Sequence, residues 1–189
     1  MFDIQKAEKY LTNLGGTHLL NHAKRTLHIS KLLAKAENMD YDEEALTFAC
    51  YFHDIGMLKP YRPEGVYDHA MESRKAIPQL THDYGISEKK LNKILEAIQY
   101  HHKKGLGEFN ETMLLRNANA VDFLGFIAAA RVFSRHHMDM SAALTELKKH
   151  REEVASLPEL KSALFMAGPR IKKLDYFIAA FEAETFGIY

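Results

Sequence analysis

The chain has 189 residues, and 25 Lys+Arg balance 25 Asp+Glu to give no formal net charge. That length fits one domain with a core large enough to need no disulfide staples. The balance argues against a nucleic-acid polymer as partner, because such a binder needs an excess of basic residues to displace counterions. One cysteine, Cys50, supplies neither an internal disulfide nor a Cys-based zinc site. Eleven histidines stand beside it and mark where to look for chemistry.

Few glycines and prolines favour long helices over a turn-dense β chain. Phe2, Ala7, Tyr10, Leu11 and Leu14 form a first helical stripe, ended by Gly15-Gly16. The start MFDIQKAEKY carries charges and no apolar signal core, and no run approaches the roughly 18 apolar residues of a membrane span. A cytoplasmic protein without a membrane partner is the expectation. Thr17 reads as the N-cap of a helix to about Glu37. Asp42 caps the next, with Ala45, Phe48, Ala49 and Phe52 inward, and Gly56 stops it. Pro60, Pro63 and Gly65 mark a loop.

A helix from about His69 to Tyr84 is expected to break near Pro78. Ser87-Glu88 opens another, with Leu91, Ile94, Leu95 and Ile98 on one face and Gly105-Leu106-Gly107 as its end. A long helical stretch from about Glu111 to His136 has a break near Gly125. Ser141–Val154, Pro158–Met166 and Pro169–Glu184 complete an all-α chain without strand patterns or repeats. One domain over residues 1–189 is expected, with helices from about 141 onward packed on the rest. Tyr176, Phe177, Phe181 and Phe186 fit either core or a contact with a second copy, and core is favoured.

The histidines and two aspartates form a pattern: His22, His53-Asp54, His69, His101-His102 and Asp122. His53 continues the apolar stripe of Ala49, and His101 and His102 follow Ile98. Asp122 lies one turn after Ala118. A carboxylate in a core needs a partner. A shared metal satisfies imidazoles and carboxylates together, in a donor set suited to Zn, Mn, Fe or Ni. A lone inward histidine is more often a hydrogen-bonded core residue; the joint pattern is what favours a ligand set.

The order His22 … His53-Asp54 … Asp122, with the segment FHDIGMLK, resembles the HD-domain superfamily of metal-dependent phosphohydrolases over about residues 18–135. The resemblance implies an all-α HD-type bundle. It implies that His22, His53, Asp54 and Asp122 hold one divalent ion. It adds His69 and His101 as ligands of a second ion, with Asp54 bridging and His102 as the second His of the pair. The metal is Fe, Mn, Ni, Co or Zn. Its bound water would be the nucleophile. The reaction implied is hydrolysis of a phosphomonoester or phosphodiester in a small phosphorylated compound of nucleotide type.

Departures narrow the branch. No Gly-Tyr-Pro element follows the HH pair, which argues against a cyclic-dinucleotide phosphodiesterase. Met57 stands where nucleoside-monophosphatase members often carry Glu, and the nearest lysine is Lys59. Arg25 shares a face with His22 and is the first candidate to receive phosphate, ahead of Lys103, Lys104 and Arg116. Asp54, His102 and Arg25 are the expected catalytic residues; the general acid stays open among His102, Lys59 and Arg25. His18 is a candidate neighbour of the site. Two other readings use the same ligands: an HD-type di-iron oxygenase, and a non-enzymatic metal-stabilised sensor or interaction domain.

Overall fold

The structure is a computed structural model that describes residues 2–14 and 16–189. Among those residues there are helices and no strand. The chain order is α1 (Ile4–Asn13), α2 (Thr17–Glu37), α3 (Glu43–Phe52), a 3-10 turn (Ile55–Met57), α4 (His69–Asp83), α5 (Glu88–Tyr100), α6 (Asn110–Asp122), α7 (Phe126–Arg135), α8 (Met140–Ala155) and α9 (Lys161–Glu184). The all-α expectation holds.

Local rules account for the starts. Asp42 Oδ1 accepts from the backbone N–H groups of Glu44 and Ala45, and Asp68 Oδ1 does the same for Ala70 and Met71. Both satisfy donors that a helix start leaves open. The N-cap of α2 is Gly16, one residue before the expected Thr17, and no side chain caps it. The expected stop at Gly15-Gly16 falls partly on Gly15, which lies outside the described residues.

Several boundaries differ for tertiary reasons. Helix α3 ends at Phe52, before Gly56, with His53 as its C-cap. Helix α5 ends at Tyr100 with His101 as C-cap, well before Gly105. The break near Gly125 separates α6 from α7, and Gly125 takes φ 73° as N-cap of α7, a backbone that favours glycine. Pro78 and Pro169 do not interrupt their helices; α9 runs unbroken through the two short helices expected there. Both prolines are exposed, so each freed carbonyl can face solvent. Ile77 and Leu80, and Ala167 and Leu174, are buried on the opposite faces and hold the helices in place.

Helix α2 packs against α1, α3, α6 and α9, so it forms the spine of the bundle. A connected apolar core extends from Phe2 to Leu174. At one end Phe2, Phe48, Phe52 and Tyr84 meet with ring centres 4.8–6.1 Å apart. Cys50 fills core space. Not all of the C-terminal aromatics are core: Tyr176 is 70% exposed and Phe186 88%. No helix among the described residues is long and apolar enough to cross a membrane.

Candidate metal centre

The ends of α3, α5 and α6 converge on the start of α4 and the side of α2. His53 and His101 are both helix C-caps, and each turns Nδ1 back to the carbonyl three residues earlier. His53 Nδ1 donates to Cys50 O at 3.0 Å, and His101 Nδ1 donates to Ile98 O at 2.7 Å. This pairing fixes the tautomer and leaves each Nε2 as a bare lone pair. The negative ends of these helix dipoles favour a cation between them.

Two groups of ligand atoms result. His22, His53 and Asp54 form one, with the chosen atoms all within 4.8 Å of one another; His69, His101 and His102 form the other. His22 Nε2 and His53 Nε2 are 3.1 Å apart, and His69 Nε2 and His101 Nε2 are 3.2 Å apart. Asp54 lies between the groups. Its Oδ2 is 3.7 Å from His22 Nε2 and 3.5 Å from His53 Nε2. Its Oδ1 is 3.5 Å from His69 Nε2 and 3.4 Å from His101 Nε2.

Asp122 is placed one step back. His22 Nδ1 donates to its Oδ2 at 2.7 Å. Arg25 donates from Nε to Oδ1 at 2.7 Å and from Nη2 to Oδ2 at 2.9 Å. Arg25 is therefore a two-pronged brace on Asp122, and both carboxylate oxygens are served. Burial opposes the ionised form of Asp122, yet the bonds from His22 and Arg25 bring its pKa down to about 2. Burial also opposes ionisation of Asp54, yet the surrounding imidazoles hold it well below the usual carboxylate range. Burial pushes the His53 pKa down to about 3, against the pull of Asp54.

The donor set fits a divalent cation. With both Nδ1 protons of His22 and His53 committed, their Nε2 lone pairs point at each other beside an ionised carboxylate. Such an arrangement is repulsive unless positive charge sits among these atoms. His102 stacks on His69, with ring centres 5.1 Å apart, and its Nδ1 is buried without a partner. Burial lowers the His102 pKa to about 4, which keeps it neutral and able to bind metal.

A close contact sets the spacing between the groups. A Cβ on Gly56 would lie 2.5 Å from His69 O and 2.6 Å from Ser73 N. The missing side chain lets the 3-10 turn after Asp54 lie directly on α4. Ser73 Oγ completes the joint: it accepts from Gly56 N at 2.9 Å and donates to His69 O at 2.8 Å.

The other expected phosphate receivers are occupied elsewhere. Lys103 Nζ is 3.3 Å from Asp68 Oδ2, and Lys104 Nζ donates to Ser156 O. Arg116 is fully buried rather than a surface charge: it pairs with Glu159 at 2.7 Å and donates to the carbonyls of Lys103 and Leu106. It clasps the loop that follows the HH pair. Lys59 is exposed. Sequence reasoning missed Arg131, whose Nη1 is 4.0 Å from Asp122 Oδ2. Its signal was an arginine one turn after Ala128 on the buried stripe of α7.

A family model for the HD domain matches residues 19–157. No curated protein matches in a sequence search. Solved structures share the fold at low identity. A predicted HD superfamily hydrolase from an uncultured Thermotogales bacterium superposes with TM-score 0.66 at 19% identity, covering 96% of this chain and 92% of that one. An HD-superfamily hydrolase from Bacillus thuringiensis gives 0.69 at 18%, covering 96% and 95%. YpgQ of Bacillus subtilis, solved in complex with ADP, gives 0.72 at 16%, covering 99% and 100%. The chain belongs to the HD-domain family.

Proposed function

We propose that this HD-domain protein is a metal-dependent phosphohydrolase that cleaves a small phosphorylated compound of nucleotide type with water. The observation that carries the reading is the placement of Asp54, one oxygen turned to each imidazole group. His22, His53 and Asp54 would hold one ion, with Asp122 held against His22; Asp54, His69, His101 and His102 would hold a second. When bound, such ions supply an acidified water and positive charge for phosphoryl oxygens.

The chain's own residues do the rest. The Cys50 and Ile98 carbonyls keep Nε2 of His53 and His101 aimed at the centre. Arg25 holds Asp122, which holds His22. His102 is neutral at pH 7, which suits it to bind metal, and it does not start as an acid. That a fold relative is a complex with ADP supports a nucleotide-type substrate.

The test is phosphate release from monoesters, diesters and phosphoanhydrides with protein loaded with Mn, Fe, Co or Ni. The expected result is release on at least one substrate class, lost more than about 100-fold in Asp54→Ala. Equal release by wild type and Asp54→Ala on every substrate would overturn the reading.

A further inference from the structure

A cavity of about 460 Å³ lies between α2, the 3-10 turn and α7, within the size range of ligand sites. Arg25, Arg131 and Arg135 line it, together with His18, Met57 and Ile127. Two of the three guanidinium groups are engaged. Arg25 grips Asp122, and Arg135 pairs with Glu146, which also bonds His136. Arg131 donates no side-chain hydrogen bond among the described residues. Its nearest carboxylate oxygen, Asp122 Oδ2 at 4.0 Å, already accepts from His22 and Arg25. Its guanidinium carbon lies 4.2 Å from the centre of the Phe123 ring, and that ring sits 4.9 Å from His22. The aromatic face fixes the plane of the guanidinium, and its side chain is 22% exposed.

A positive group with open donors has thus been brought from water to the wall of a cavity beside the metal centre. Desolvation of this kind is costly without an anionic partner. Burial makes Arg131 easier to deprotonate, while Asp54 and Asp122 pull the other way. A groove of about 570 Å³ near Phe2 and Thr47 differs: there Lys31 pairs with Glu43, and Lys90 with Asp42.

We propose that Arg131 anchors a second anionic group of the substrate, beyond the phosphoryl group cleaved at Asp54, with the substrate's apolar part against Met57 and Ile127. This rests on the hydrolase reading and deepens it: the preferred substrate is an organic compound with two or more linked phosphates. The phosphoryl group under attack has the metal centre for its charge. Arg131 meets the negative charge which that centre does not reach. An arginine fork suits a terminal phosphate.

The test is calorimetric titration of the full chain with inorganic tripolyphosphate in excess chelator, which reads binding without catalysis. Wild type is expected to bind one equivalent. Arg131→Met, which keeps an apolar contact on Phe123, is expected to weaken binding at least about tenfold. Met57→Glu, at a position 37% exposed, places a negative charge on the same wall and is expected to weaken it similarly. Lys148→Met lowers the net charge by the same amount on distant α8, where Lys148 pairs with Glu182, and should stay within about twofold. No binding by wild type, an equal loss in Lys148→Met, or no loss in Arg131→Met and Met57→Glu would overturn the anchor. Arg131-dependent binding in a chain that releases no phosphate when metal-loaded would sink the hydrolase reading alone. Phosphate release without Arg131-dependent binding would sink the anchor alone.

Discussion

His22 turns Nδ1 toward Asp122, 2.7 Å away, and thereby commits Nε2 to the side of His53 and Asp54. A carboxylate behind an imidazole fixes the ring, selects its tautomer and makes its other nitrogen more basic. Arg25 behind Asp122 extends the chain of restraint by one more residue.

Loss of that restraint should appear first in metal affinity. Arg25→Ala frees the Asp122 carboxylate to rotate, and Asp122→Asn removes its charge. Each is expected to weaken metal binding about 10–100-fold, read by competition with a chromogenic chelator. Arg25→Lys, which keeps the charge but not the fork, should fall between wild type and Arg25→Ala. Unchanged affinity in all three would deny the brace its role.

Acid should destabilise the chelator-treated protein well before carboxylates protonate. His53 has its folded pKa depressed to about 3, against about 6.5 in an unfolded chain. The unfolded chain therefore binds more protons below about pH 6.5, and stability falls with pH from there until the folded pKa is reached. His53 alone contributes a loss of about 2 kcal/mol at pH 5. His102, depressed to about 4 by burial, acts in the same direction. Asp122, lowered to about 2, adds its loss only below about pH 4. Thermal melting between pH 8 and pH 4 in chelator should show a fall in Tm that begins near pH 6.5. A flat profile down to pH 5 would contradict a neutral, buried His53.

Gly56→Ala tests the joint between the two imidazole groups. Backbone atoms of His69 and Ser73 stand where the new methyl would go, so the 3-10 turn must move off α4. The expected cost is about 1–3 kcal/mol. Affinity for a second metal equivalent should drop with it, since His69 moves relative to Asp54. Melting and metal stoichiometry together decide this; wild-type values for both would show that the contact carries no constraint.

Glu159→Gln leaves buried Arg116 short of its counter-charge. Breaking a buried pair costs about 3–5 kcal/mol, and the lower end applies because Glu159 keeps 21% of its side chain exposed. Urea unfolding should show the midpoint shifted down with an unchanged slope. A shift below about 0.5 kcal/mol would mean that the loop carbonyls of Lys103 and Leu106 alone satisfy Arg116.

Helical phase predicts that His53 and His101 face inward. His53 follows Ala49 on a buried stripe, and His101 follows Ile98; both are about 1% exposed. What phase does not carry is the depth of a charged residue. Arg116 reads as a surface cation in sequence, yet the loop after the HH pair and Glu159 wrap it completely. Arg131 stands one turn after Ala128, and only the fold brings it to 4.0 Å from Asp122. Pro78 and Pro169 were read as breaks on local rules, while packing of Ile77, Leu80, Ala167 and Leu174 overrode them. Close backbone approaches such as Gly56 on His69 belong to tertiary structure, and no spacing rule announces them.

His22 and Asp122 are 100 residues apart in the chain. On loop-closure grounds their contact forms late, after local helices exist. A growing chain that has exposed the His53-Asp54 pair still lacks the carboxylate that steadies His22. Selective capture of the proposed ions would thus wait until α6 has docked against α2. Before that, the imidazoles are scattered donors that any abundant ion can visit and leave.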